Sequence, residues 1–198
     1  QLAETLSTKT PSPEMQKNLA EAYLRLADVA HSVGEDTQAE RAYSEAQVFL
    51  GTLTAEHPDN TEYVALQARA LHELAVLQED QGKFGEALAS NEHALELRQS
   101  LVASNPDDPN LRRGLADSYN NLAVLYKSQG NLAEAASFSE KALEARNQLI
   151  EAEMDDEAVQ IEYAESLGNF GLLKMEEGLT DEALDSFSAK LPVDRSSS

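Results

Sequence analysis

Asp108-Pro-Asn-Leu-Arg-Arg-Gly-Leu-Ala-Asp-Ser-Tyr-Asn-Asn-Leu-Ala-Val-Leu-Tyr-Lys-Ser-Gln-Gly130, continued by Asn131-Leu-Ala-Glu-Ala135, reads as two helices that meet at a glycine. Asp108-Pro109 supplies a capping carboxylate and then proline, which has no amide N–H to leave unpaired at the first helical position. Leu111, Leu115, Tyr119, Leu122, Leu125 and Tyr126 recur at spacings dominated by three and four, the period of a helix with one buried face. Gly130 ends the run, at a point where a left-handed backbone would clash with any side chain. Asn131, with Glu134 three residues on, has the form of a capping box and opens a second helix through Phe138, Ala142, Leu143 and Leu149.

The same pattern returns every 48 residues. Gly34, Gly82, Gly130 and Gly178 hold that spacing without a gap. So do Ala20, Ala68, Ala116 and Ala164, the bulky column Leu26, Leu74, Leu122 and Phe170, and the small columns Ala27, Ala75, Ala123, Gly171 and Ala39, Ala87, Ala135, Ala183. Such self-similarity marks a stack of identical supersecondary units. First helices are expected over about 13–33, 60–81, 109–129 and 157–177, and second helices over about 36–56, 84–104, 132–153 and 180–190. The facing small columns predict close antiparallel pairs, because small side chains let helix axes approach to about 8 Å. Four repeats thus occupy 10–191, residues 1–9 read as the tail of a preceding second helix, and 192–198 as a disordered tail.

Composition excludes several classes. The chain has 198 residues, no cysteine and no tryptophan, and 36 acidic against 15 basic side chains, a net charge of −21. Disulfide scaffolds and thiolate metal sites need cysteine. Strong negative charge repels phosphate backbones and anionic lipid, so neither nucleic acid nor membrane is expected as partner. No apolar run is long enough to span a bilayer and no leader is visible, so the default expectation is a cytoplasmic protein. No glycine-rich phosphate loop, serine elbow or two-histidine zinc helix occurs, so no enzyme, cofactor or metal is expected. His31, His57, His72 and His93 lack ligand spacing, and Tyr23, Tyr119 and Tyr126 read as core.

Ser118-Tyr-Asn-Asn-Leu-Ala-Val-Leu-Tyr126, Gln129-Gly-Asn-Leu-Ala-Glu-Ala135 and Glu140-Lys-Ala-Leu143 resemble the tetratricopeptide repeat. Lys83-Phe-Gly-Glu-Ala-Leu88 and Thr180-Asp-Glu-Ala-Leu184 repeat the second half of that signature. The period is longer than the usual 34 residues. Copy one departs most: Asp36-Thr-Gln-Ala39 lacks the usual aromatic or leucine, and Gln47 replaces the leucine of Leu95 and Leu143. The long form is similar to bacterial arrays attached to serine/threonine kinases, notably in planctomycetes. The resemblance implies an all-α, right-handed superhelical solenoid of antiparallel helix pairs. It also implies a non-catalytic scaffold that binds a peptide or partner segment in the concave groove lined by first helices. A structural spacer or oligomerisation module, and a regulatory segment of a larger signalling enzyme, stand as alternatives.

On the first helices the groove residues are expected to be Arg25, Asp28, Arg69, His72, Glu73, Asn120, Asn121, Lys127 and Asn169. Asn121 and Asn169 share a column, and an amide can pair with a peptide main chain without reading its side chains. The inward set is no more acidic than the whole chain, so selection of a basic peptide stays open beside plain solvation. Leu24, Asp28 and Asp117 stand where the family's chaperone-type clamp needs lysine, asparagine or arginine, which argues against that ligand. Uncapped repeat ends predict self-association through exposed apolar faces.

Overall fold

The computed structural model describes residues 11–151 and 157–188. The described chain is an all-helical array of antiparallel pairs: α1 (Pro13–Ser32), α2 (Asp36–Glu56), α3 (Thr61–Asp80), α4 (Phe84–Ser104), α5 (Pro109–Ser128), α6 (Leu132–Glu151), α7 (Glu157–Glu176) and α8 (Thr180–Ser188). The expected preceding helix tail, the disordered tail and the last residues of the second helices of the third and fourth pairs, 152–153 and 189–190, lie outside the described residues. The chain divides into two compact units between Leu97 and Arg98, within α4.

Capping residues start the helices. Ser12 Oγ accepts from the Met15 amide at 3.3 Å, and Pro13 follows it. Asn60 Oδ1 accepts from the amides of Glu62 and Tyr63, and Asp108 Oδ1 from those of Asn110 and Leu111. Each cap satisfies donors that have no partner inside the helix. Gly34, Gly82, Gly130 and Gly178 lie at φ between 73° and 82°, in the left-handed region. The amide after each glycine bonds back to the preceding helix: Glu35 to Ala30 O, Lys83 to Gln78 O, Asn131 to Tyr126 O and Leu179 to Lys174 O, all at 2.8–2.9 Å. This is the six-to-one closure that terminates a helix. A Cβ at any of the four would meet nothing within 4 Å. Backbone conformation, not lack of space, is what calls for glycine here.

In unit 1, α1 packs on α2 and α2 on α3. In unit 2, α5 packs on α6, α6 on α7, and α7 on α8. Ala27 against Ala39, Ala75 against Ala87, Ala123 against Ala135, and Gly171 against Ala183 are all buried. Tyr23 stacks on Phe49 with ring centroids 6.0 Å apart, and Tyr126 on Phe138 at 5.5 Å, so these rings tie first helices to second helices. Two columns do not keep one environment. Leu122 is fully buried while Leu26 is 43% exposed, because Leu26 lies on the outer side of α1. Ala20, Ala68 and Ala116 are buried while Ala164 is exposed on α7.

Candidate functional site

The residues expected on the groove fall into two groups, one in each unit. In unit 1, α1 and α3 bring Asp28 and Arg69 together, but with each other as partner. Asp28 Oδ1 accepts from the Tyr43 hydroxyl at 2.9 Å, and Arg69 Nη2 donates to Asp28 Oδ2 at 3.5 Å. Burial, then the bond to Asp28, raises the Tyr43 pKa well above its ordinary value, so the phenol stays a donor. Arg25 is exposed and 3.8 Å from Glu21, one turn earlier. His72 is half-buried and already engaged, and Glu73 is half-buried beside the Tyr43 phenol. This cluster reads as a clasp between neighbouring first helices, with its polar atoms committed.

Unit 2 differs. Asn120, Val124 and Lys127 on α5 and Asn169 and Leu173 on α7 line one small depression of about 40 Å³, with Ser139 of α6 beneath. Spacings of three and four place the α5 residues on one face. Lys127 Nζ lies 2.9 Å from Glu176 Oε1, which neutralises the rim. Asn120 and Asn169 have no side-chain partner among the described residues. Asn121, the residue expected to act with Asn169, lies about 100° round the helix from Asn120, does not line the depression, and is engaged elsewhere. Val124 belongs to the inward-facing set that helical spacing predicts, and it is 48% exposed here; Leu173 and Ser139 were not singled out from sequence.

A wider hollow on α5 and α6 is lined by Leu115, Tyr119, Glu140, Lys141 and Gln148 among others. Lys141 Nζ sits 4.7 Å from the Phe138 ring centroid there. Among the described residues no group of three or more histidine, aspartate or glutamate side chains could hold a metal ion. Nor is any helix long and apolar enough to cross a membrane.

A family model described as tetratricopeptide repeat matches residues 67–110 and 115–156. No match was found among curated protein sequences. Among solved structures, BtubC (BKLC) from P. vanneervenii is similar at 23% identity with a TM-score of 0.69, over 95% of this chain and 74% of that one. The apo form of RapI is similar at 15% identity with a TM-score of 0.68, over 93% and 57%. A putative kinesin light chain from Podosopora anserina with nearly identical TPR-like repeats gives 18% identity and a TM-score of 0.61, over 92% and 77%. At these identities the likeness concerns the fold. The matched segments, the 48-residue period and the glycine-closed helix pairs agree: the chain is an all-α array of antiparallel helix pairs, similar in fold to tetratricopeptide-repeat structures, and residues 67–110 and 115–156 match that repeat.

Proposed function

We propose that this array is a non-catalytic protein-interaction scaffold that holds an extended partner segment in the depression between α5 and α7. The observation that carries the reading is the pair of uncommitted amides, Asn120 and Asn169, set beside the apolar side chains of Val124 and Leu173. An amide offers two donors and an acceptor, the complement of a main-chain peptide group. The apolar pair offers burial to one side chain of the same segment. The depression is smaller than pockets for drug-sized ligands, about 300–1,000 Å³, and suits a side chain rather than a cofactor. Because Glu176 already neutralises Lys127, the depression favours main-chain pairing over selection of a basic peptide. In unit 1, Asp28 and Arg69 then serve an inter-helix contact rather than the ligand.

An immobilised array of peptides of varied composition tests this. Peptides that bind the wild-type chain are expected to lose at least about tenfold in affinity with Asn120→Ala plus Asn169→Ala. Helical circular dichroism should be unchanged, and Asn121→Ala should bind as wild type. Equal binding by the double variant removes the site, and an array silent throughout favours the spacer reading. The long repeat also supports a place beside other domains in a larger signalling chain, which the flanking sequence would decide.

A further inference from the structure

One helix pair lacks a ring that another keeps. In the first repeat Tyr23 of α1 stacks on Phe49 of α2, with ring centroids 6.0 Å apart and 18° between the planes. Two periods on, Leu19 and Tyr23 recur as Leu115 and Tyr119, but Ala145 stands in place of Phe49. The second repeat fills the same pair of positions with aliphatic carbon, Leu71 and Leu97. Phe138 meets Tyr119 at 6.3 Å, tilted by 35°, and does not replace the lost ring. It comes from the position of Ala42 in the first repeat, about two turns before Ala145 on α6.

The missing ring leaves a space. The hollow on α5 and α6 has a volume of about 440 Å³, and Leu115, Tyr119 and Ala145 supply its apolar wall. That volume lies within the range of ligand pockets, about 300–1,000 Å³. The hollow shares no residue with the depression between α5 and α7. Gln99 of α4 donates to the Tyr119 hydroxyl at 3.2 Å, and α7 packs on α6, so the hollow is internal to the array and not an end face. Lys141 Nζ stands 6.0 Å from the Tyr119 ring centroid and 4.7 Å from that of Phe138. An ammonium group so placed attracts the face of a further ring. Glu140 and Glu144, one turn apart, complete the rim, and Glu144 accepts from Gln148 Nε2 at 2.9 Å. Lys174 Nζ approaches Glu140 at 3.8 Å but is shared with Glu177 at 3.5 Å and Glu182 at 3.3 Å.

We infer that this hollow is a second binding site, which takes an aromatic side chain of a protein partner, stacked on Tyr119 where Phe49 stacks on Tyr23. The partner segment is basic on either side of that ring. Two carboxylates oppose one ammonium at the rim, and the chain carries a charge of −21, so cations beside the ring are attracted and carboxylates repelled. An aliphatic side chain would bury carbon there but would lose the stacking with Tyr119 and the attraction to Lys141. The site does not depend on Asn120 or Asn169.

The probe is a capped synthetic peptide with one phenylalanine between pairs of arginines, titrated into the full chain and followed by amide NMR. The Tyr119 and Ala145 amides should shift, with a dissociation constant below about 1 mM. Alanine in place of the peptide's phenylalanine should weaken binding at least about tenfold. Glutamates in place of its arginines should weaken it at least about fivefold at low salt, and less at high salt. Ala145→Phe supplies the missing ring from within, as in the first repeat, and should cost at least about tenfold in affinity with helicity retained. Ala145→Leu copies the second repeat and should act in the same direction, which keeps the test open if the larger side chain impairs folding. Asn120→Ala plus Asn169→Ala should leave this binding unchanged. No shift at Tyr119 or Ala145, equal binding of the phenylalanine and alanine peptides, full affinity in the folded Ala145 variants, or loss of binding in the asparagine double variant would overturn the inference.

Discussion

Leu50 and Arg146 occupy the same position of the repeat, two periods apart, and are packed in opposite ways. In unit 1, Leu50 is fully buried, and so is Ala70 at the facing position of α3; this pair is apolar, with the Thr54–Gln67 hydrogen bond one turn away. In unit 2, Arg98 and Arg146 replace the leucine, and Ser118 and Ser166 replace the alanine. Arg98 Nη1 donates to Gly114 O at 2.9 Å and to Ser118 Oγ at 2.6 Å. Arg146, only 6% exposed, donates to Ser166 Oγ and reaches Asp117 Oδ1 at 2.9 Å, with Glu162 close by. The helix pairs themselves keep the same alanines and the same closing glycines throughout. Pairing within a repeat is therefore held by small columns and backbone, whereas the contact between repeats accepts either hydrocarbon or a satisfied buried charge. A buried ion pair need not add stability over well-packed hydrocarbon, but removing one partner is costly.

Exchanging the two solutions tests this reading, and the largest effect is expected in unit 1. Leu50→Arg places a guanidinium in a junction with no facing carboxylate or hydroxyl, and should cost more than about 4 kcal/mol in urea unfolding. Adding Ala70→Ser should restore part of it. A loss below about 1 kcal/mol would mean the arginine escapes to water, and the contrast between units would fail. In unit 2, Arg146→Ala should cost about 3 kcal/mol, since Asp117, Glu162 and Ser166 lose their shared donor. Arg146→Leu with Ser166→Ala, which copies the unit 1 pair, should return to within about 1 kcal/mol of wild type. If the leucine–alanine pair is as damaging as the alanine variant, the charge network holds the junction in a way hydrocarbon cannot replace.

The helix pairs were legible because their determinants are local. A proline after a capping side chain, a glycine at positive φ and alanines at fixed spacing each act within one repeat, so the 48-residue register exposes them. The depression between α5 and α7 was only half legible. Register put Asn121 and Asn169 in one column, yet a groove forms between successive helices. The side of α5 that meets α7 carries Asn120, not Asn121. Column reasoning finds equivalent positions, and a groove needs complementary ones. Asp28 and Arg69 show the same limit of column reasoning. Each looks like a free groove charge until the neighbouring helix supplies its partner. The Arg146 network escaped notice because arginine in a helix reads as surface, and only the facing serine one repeat on shows otherwise.

Glu79 gives the smallest and most specific test of the contrast. It shares a column with Lys127, whose charge is matched by Glu176, but among the described residues Glu79 has no cation beside it, only the Asn91 amide at 3.3 Å. Burial raises its pKa above the ordinary carboxylate value, Asp80 adds to the rise, and the Asn91 bond opposes it. Between the ordinary and the raised value the folded chain therefore binds more protons at this site than the unfolded chain. That sign makes stability fall as pH rises through the window, and at neutral pH the ionised carboxylate carries the full penalty. Glu79→Gln keeps an oxygen for Asn91 and removes the charge. It should stabilise the protein by about 0.5 kcal/mol at pH 7, and the gain should vanish in acid, where both states of the wild type are protonated at this residue. Urea midpoints of the two chains compared across that pH range give the answer. A gain that persists in acid would assign the effect to packing instead of charge, and Glu79 would then belong with the apolar contacts of unit 1.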